Sequence, residues 1–314
     1  MAARAKNEYT CGECGWASTK WVGQCGECQQ WNSMVEGAAA SRGLGTIKSI
    51  KPATIVASSA AKPITDVSTV AVASRSTRVG EFDRVLGGGI VPGAVVLLSG
   101  EPGVGKSTLL LEVAANTAKS GAKVLYVSGE ESVGQIRLRA ERTGAMTDHL
   151  YLASETDLSS VLGQIDAVAP ELFVVDSVQT IAAAEIDGAA GMPSQIREVA
   201  ANLIRVAKER NLPVILVGHV TKDGSIAGPR VLEHLVDVVC HFEGDRQTSL
   251  RFVRSLKNRF GPTDEVGCFE MTGEGIREVA DPSGLFLSRG DTPVSGTCVT
   301  VAVEGKRALI AEVQ

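Results

Sequence analysis

Nine consecutive residues constrain this chain more than any other part of it. Gly100, Glu101, Pro102, Gly103, Val104, Gly105, Lys106, Ser107 and Thr108 fit the phosphate-loop pattern G-x-x-x-x-G-K-[ST] without a mismatch. An apolar, β-favouring run (94–98) precedes them and a helix-forming run (109–115) follows. Strand, glycine loop and helix in that order curl backbone N–H groups around an anion and add the positive end of a helix dipole. In that setting Lys106 brings a point charge to the β- and γ-phosphates, and Ser107 offers a hydroxyl to Mg2+. The alternative is a glycine-rich turn that happens to contain Lys-Ser, which the flanking runs disfavour. The loop therefore predicts binding of a nucleoside triphosphate by an α/β domain.

The rest of the composition agrees with such a domain. At 314 residues, 44% apolar and 21% charged, the chain can bury a sizeable core and reads as soluble globular protein. Only 4% of residues are aromatic, so the core is built from Val, Leu, Ile and Ala, which suits a parallel sheet. A net charge of −5 argues against a uniformly basic nucleic-acid binder but leaves room for local basic loops. Residues 1–10 are polar, and no apolar stretch is long enough for a bilayer. The expectation is a cytoplasmic protein without a membrane partner.

Texture divides the sequence into four parts. Residues 1–35 hold three tryptophans and two cysteine pairs. Residues 36–77, rich in Ala, Ser, Thr and Val, read as a flexible linker with one short extended piece near 54–56. Residues 78–283 alternate strands and helices, which implies parallel pairing. Strands are expected at 123–128, 150–152, 172–176, 213–219, 236–242 and 249–256. Helices are expected at 133–143, 157–168 and 195–210, the last N-capped by Ser194. From residue 284 the tone shifts to further strands at 285–287, 298–303 and 308–313, expected to be the start of another domain that is cut off.

Cys11-Gly12-Glu13-Cys14 and Cys25-Gly26-Glu27-Cys28 are two C-x-x-C knuckles. Each directs two sulfurs at one centre, and together they complete a tetrahedron suited to structural Zn2+. Disulfides or a redox pair are the rivals, disfavoured in a reducing compartment. Cys240, Cys268 and Cys298 stand singly in apolar strands and are expected to be buried thiols.

Hydrolysis needs a magnesium partner, a group that orients water and a positive charge for the transition state. Asp176 closes an apolar strand and is the expected second Mg2+ ligand. Glu130 and Glu131 end the strand after the phosphate-loop helix; Glu130 is favoured for polarising water, and solvated turn carboxylates are the alternative. His219 ends a strand where it can touch the γ-phosphate, although a lone histidine is often a packing residue. The glycine-bearing segments 183–193 and 222–230, the second carrying Lys222 and Arg230, are candidates for mobile loops that grip a ligand. Lys257-Asn258-Arg259-Phe260-Gly261 is a short basic turn and a weak signal alone.

Taken together, these motifs resemble the bacterial RadA (Sms) family of DNA repair and recombination ATPases. The likeness runs in order through the knuckles, the phosphate loop and Ser128-Gly129-Glu130-Glu131-Ser132. It continues through Asp176-Ser177-Val178-Gln179-Thr180, Gly218-His219-Val220-Thr221-Lys222 and the Lys257–Gly261 signature. The resemblance implies a RecA-like P-loop core with a mainly parallel sheet, preceded by a small zinc ribbon and followed by the opening strands of a truncated α+β Lon-protease-like domain. It implies a DNA-dependent ATPase that promotes branch migration as a ring, a homo-hexamer in the full-length protein. ATP, Mg2+ and Zn2+ are the cofactors; single-stranded and branched DNA and a RecA-type recombinase are the partners. Lys106, Glu130, Asp176, His219, Lys257 and Arg259 are the implied catalytic set, and Lys222, Arg230, Lys257 and Arg259 the nucleic-acid set. Three destinations stay open for Lys257 and Arg259: a neighbour's nucleotide, DNA, or both. The alternative readings are a clock-type RecA-fold ATPase acting on protein and a zinc-module adaptor switched by nucleotide. An ATP-dependent protease lacks a Ser/Lys or Ser/His pair with catalytic context.

Overall fold

The computed structural model describes residues 8–11, 13–14, 16–18, 20–37, 61–66, 73–219, 232–244, 248–281, 295–304 and 306–313. They fall into two units, Met1–Val67 and Ser68–Gln314. In the first, β1 (Glu8–Cys11) pairs antiparallel with β2 (Ala17–Ser18) and β3 (Met34–Gly37). Among the described residues its apolar centre is Cys11, Cys25 and Met34, flanked by Tyr9, Trp16 and Val22. So small a core cannot offset the entropy of ordering the segment without a cross-link or metal.

The second unit runs α1 (Gly80–Leu86), β4 (Val95–Gly100), α2 (Lys106–Lys119), β5 (Val124–Ser128), α3 (Val133–Thr143), β6 (Leu150–Ser154), α4 (Leu158–Val168), β7 (Leu172–Asp176), α5 (Pro193–Arg210) and β8 (Val214–His219). It continues through β9 (Val238–Glu243), β10 (Leu250–Asn258), β11 (Val266–Thr272) and β12 (Gly275–Glu278). These strands form one sheet of order β12-β11-β10-β9-β4-β8-β7-β5-β6. Pairing is parallel from β9 through β6 and antiparallel from β9 through β12. β13 (Cys298–Glu304) and β14 (Arg307–Val313) pair antiparallel in a separate sheet.

The central strands are apolar throughout because both faces are covered. Val96 and Leu98 of β4 join α1, α2 and α3 in one core, while Val95 and Leu97 join α4 and α5 in the other. Leu109, Leu110 and Leu111 of α2 are fully buried, each contributing about 1.5–3 kcal/mol. The predicted strand ends and helices recur within a few residues, with the mainly parallel α/β core as expected.

Several details differ. α5 begins at Pro193, with Met192 as N-cap, so Ser194 lies inside the helix; proline's fixed φ and missing N–H suit the first helical position. α1, β11 and β12 fall where no element is predicted, because seven-residue and four-residue elements carry too little periodicity to read. Cys298 is exposed, whereas Cys240 and Cys268 are buried as expected. The start of the 183–193 segment is not loose. The buried Gln195 amide accepts from Ala183 N–H at 2.8 Å and donates to the carbonyls of Ala183, Ile186 and Gly188. The predicted strands at 54–56 and 285–287 and the 222–230 loop, with Lys222 and Arg230, lie outside the described residues.

Candidate functional site

Register brings the predicted residues to one rim. Gly100 at the end of β4 pairs with His219 on β8 and Phe242 on β9, and Ser128 on β5 pairs with Asp176 on β7. In a parallel sheet this carboxyl edge is the ligand crevice. The loop between β4 and α2 is shaped by its glycines. At Gly100 a Cβ would sit 2.3 Å from the Phe242 carbonyl oxygen, and Gly105, the N-cap of α2, has φ 112°. Only glycine meets both demands. Arg251 on β10 donates from Nε to the Val104 carbonyl at 3.1 Å. This buried brace carries no motif, and sequence reasoning missed it.

Lys106 is 3% exposed, and its Nζ donates to the Gly100 and Glu101 carbonyls at 2.8 Å each. Burial pulls its pKa down to about 8, against the opposing pull of Asp176, Glu130 and Glu101. Asp176 is buried on the neighbouring side of the rim. Its Oδ2 accepts from the Tyr126 hydroxyl at 2.6 Å, and its Oδ1 is buried with no hydrogen-bond partner. Burial, then the Asp176 charge, raises the Tyr126 pKa well above the usual phenol value, so the phenol stays protonated. A buried carboxylate oxygen without a donor is costly. Hard oxygens from Ser107 and Asp176 are the donor set that Mg2+ takes beside phosphates, so the residues fit that ion.

The two adjacent glutamates part company. Glu130 Oε1 accepts from Ser177 Oγ at 2.6 Å and lies 3.0 Å from His219 Nε2. Glu131 instead pairs with Arg139 of α3. The Ser128 hydroxyl accepts both their backbone N–H groups, at 3.2 and 3.0 Å, and holds the turn. Gly129 is required there, because a Cβ would fall 2.1 Å from Thr180 Oγ1. Gln179 donates to the His219 carbonyl at 3.2 Å, while Gln179 Oε1 and His219 Nδ1 are buried without partners. Ser177 and Gln179 were legible only as neighbours of Asp176; the sequence assigned them no role.

Lys257 and Arg259 are not on this rim. β10 runs antiparallel to β9, and Asn258 pairs with Val238 at the amino end of β9. That is four strand residues, ~13 Å, from the Phe242–Gly100 pair where the phosphate loop begins. Lys257 Nζ donates to the Glu233 and Val236 carbonyls at 2.7 and 2.8 Å. Burial, then Arg259, lowers the Lys257 pKa. Arg259 Nη1 lies 3.4 Å from Asp237 Oδ1. Asn258 Nδ2 donates to the Leu86 carbonyl at 3.2 Å, and Gly261 lies against Gly87 so closely that a Cβ there would come within 3.1 Å of its Cα. Asn258 and Gly261 thus dock the turn on α1 and leave Arg259 and Phe260 presented to solvent.

In the first unit the sulfurs of Cys11, Cys14, Cys25 and Cys28 all lie within 4.8 Å of one another, and none is in a disulfide. The knuckle turns are held by backbone bonds from Cys11 N to Trp16 O at 2.8 Å and from Cys25 N to Gln30 O at 3.0 Å. The Ser33 hydroxyl beside Cys11 lowers its pKa to about 6. At Cys28 a backbone bond at Gln30 lowers the pKa, but desolvation and the other thiols outweigh it and push it up to about 12. Four thiols this close ionise together only around a cation, and the closed all-sulfur set fits Zn2+.

Two family models match the chain: an AAA domain over residues 62–225 and a rubredoxin metal binding domain over residues 9–36. The chain is 55% identical over 315 residues to the DNA repair protein RadA of Mycobacterium tuberculosis, covering 99% of this chain and 65% of that one. It is 53% identical to the protein of that name in Mycolicibacterium smegmatis and 46% identical to that in Bacillus subtilis, in each case over 99% of this chain and 68% of the relative. The chain thus spans about two thirds of the length of these relatives. Among the described residues no helix is long and apolar enough to cross a membrane.

Proposed function

Because this chain belongs to the family of the DNA repair protein RadA, we propose that it is the ATP-hydrolysing motor part of a DNA repair and recombination protein. The observation that carries the reading is the rim itself. A buried lysine in a glycine loop faces a buried aspartate with one unpartnered oxygen, beside a glutamate positioned by a serine and a histidine. Lys106 and the loop N–H groups bind the β- and γ-phosphates. Ser107 and Asp176 would hold Mg2+, which supplies charge neutralisation between the phosphates when bound. Glu130, half exposed on the rim, takes a proton from the attacking water. His219 meets the γ-phosphate and reports its loss through the Gln179 contact to the segment that follows β8. Electrostatic positioning of this kind carries most of phosphoryl-transfer catalysis.

The finer reading is a DNA-dependent motor that promotes branch migration as a homo-hexameric ring, with single-stranded and branched DNA and a RecA-type recombinase as partners. The opposite placement of loop and basic signature supports it. A head-to-tail ring brings the Lys257–Gly261 turn of one subunit toward the phosphate loop of the next. Arg259 then supplies transition-state charge in trans, so hydrolysis depends on assembly. The ribbon of residues 9–36 is a structural zinc module. The test is the ATPase rate of the protein with and without single-stranded DNA across salt concentrations. Stimulation that weakens with salt is expected. A rate indifferent to DNA favours a switch acting on protein partners instead.

A further inference from the structure

We infer that Tyr126 is the positioning residue for the magnesium-binding carboxylate, its hydroxyl holding Asp176 Oδ2 so that Oδ1 alone is turned to the metal. The inference rests on the nucleotide reading above and concerns a residue outside every phosphate-loop motif. Tyr126 lies in β5, the strand directly beside β7, paired with Val174. Its ring is fully buried in the core with α2, and its hydroxyl donates to Asp176 Oδ2 at 2.6 Å. A bond that short to a carboxylate is charge-assisted. It occupies one oxygen and fixes the rotation of the carboxylate about its last bond. The other oxygen, Oδ1, is buried and without a partner. Had the carboxylate been free to turn, a buried orphan oxygen would have sought a donor. The ring cannot move aside, because it is packed on all sides. Outer partners that orient a ligating group in this way typically control metal affinity by about 10–100-fold.

Tyr126→Phe removes the hydroxyl and little volume. Binding of a fluorescent ATP analogue is measured in EDTA and across a titration of free Mg2+. Affinity in EDTA should stay within about twofold of wild type, since Lys106 and the loop are untouched. The Mg2+ concentration that half-restores the metal-dependent gain should rise about tenfold or more. In an Asp176→Asn background the same change should add nothing, because the effect passes through that carboxylate. An unchanged magnesium midpoint, or an additive loss in the Asp176→Asn background, overturns the inference while leaving the nucleotide reading standing. A wild-type chain whose nucleotide affinity ignores magnesium overturns both. Should Tyr126→Phe fail to fold, a crystal structure of the wild type with Mg2+ and the analogue decides. Oδ1 facing the ion with Oδ2 still on Tyr126 upholds the inference, and Oδ2 on the ion overturns it.

Discussion

Replacing Lys106 by Met should make the nucleotide-free protein more stable at neutral pH while abolishing nucleotide binding. The buried ammonium sits in the loop with a pKa lowered from 10.5 to about 8, chiefly by desolvation. At 1.36 kcal/mol per pH unit, holding that charge costs the folded state about 3 kcal/mol at most. Methionine fills the same volume without the charge, but the Gly100 and Glu101 carbonyls each lose a donor, about 1 kcal/mol apiece. A net gain of about 1 kcal/mol at pH 7 follows. The sign with pH is equally specific. Between about 8 and 10.5 the unfolded chain keeps a proton that folded Lys106 has released, so wild-type stability rises through that window. The advantage of Lys106→Met is therefore largest below pH 8, gone by about pH 9 and reversed above it. Urea denaturation followed by far-ultraviolet circular dichroism measures it in EDTA. The tryptophans do not report on it, since Trp16, Trp21 and Trp31 all lie in the Met1–Val67 unit. A variant less stable than wild type at pH 7, or a difference that is flat with pH, refutes the reasoning.

Glu130→Gln should lower single-turnover ATP hydrolysis by about 10²–10⁴ with nucleotide affinity kept, whereas Glu131→Gln, which loses only the Arg139 pair, should cost well under tenfold; the reverse order would reassign the water-activating role. Lys257→Ala should leave nucleotide binding by the isolated monomer intact while impairing DNA-stimulated hydrolysis, and loss of monomer binding in an equilibrium titration contradicts a role in trans. Protein purified under reducing conditions should carry one Zn2+ per chain by elemental analysis, and chelation should unfold the ribbon, seen as a change in tryptophan emission; a metal-free, folded ribbon counts against the site. Gly100→Ala should abolish ATP binding, because its Cβ would fall 2.3 Å from the Phe242 carbonyl oxygen, a backbone clash with no soft partner; retained affinity by calorimetry counts against the loop geometry.

The local code of this chain is unusually complete in some places and silent in others. The phosphate loop, the two knuckles, the apolar strands and helices such as Val133–Thr143 were legible because each is specified by neighbours a few residues away: turn glycines, a cap, a period. Which strand lies beside which was not, since pairing joins residues far apart in the chain. Only the sheet order puts Gly100, His219, Ser128 and Asp176 on one rim and sends Lys257 and Arg259 to the other edge. Glu130 and Glu131 are indistinguishable as letters; a one-residue step at the end of β5 turns one toward Ser177 and His219 and the other toward Arg139. Tyr126, Arg251 and Gln195 read as core or surface residues until their partners, 50, 147 and up to 12 positions away, are seen. Sequence alone determined the chemistry each segment can offer. Tertiary structure decided which groups meet, because burial and hydrogen bonding act through space and not along the chain.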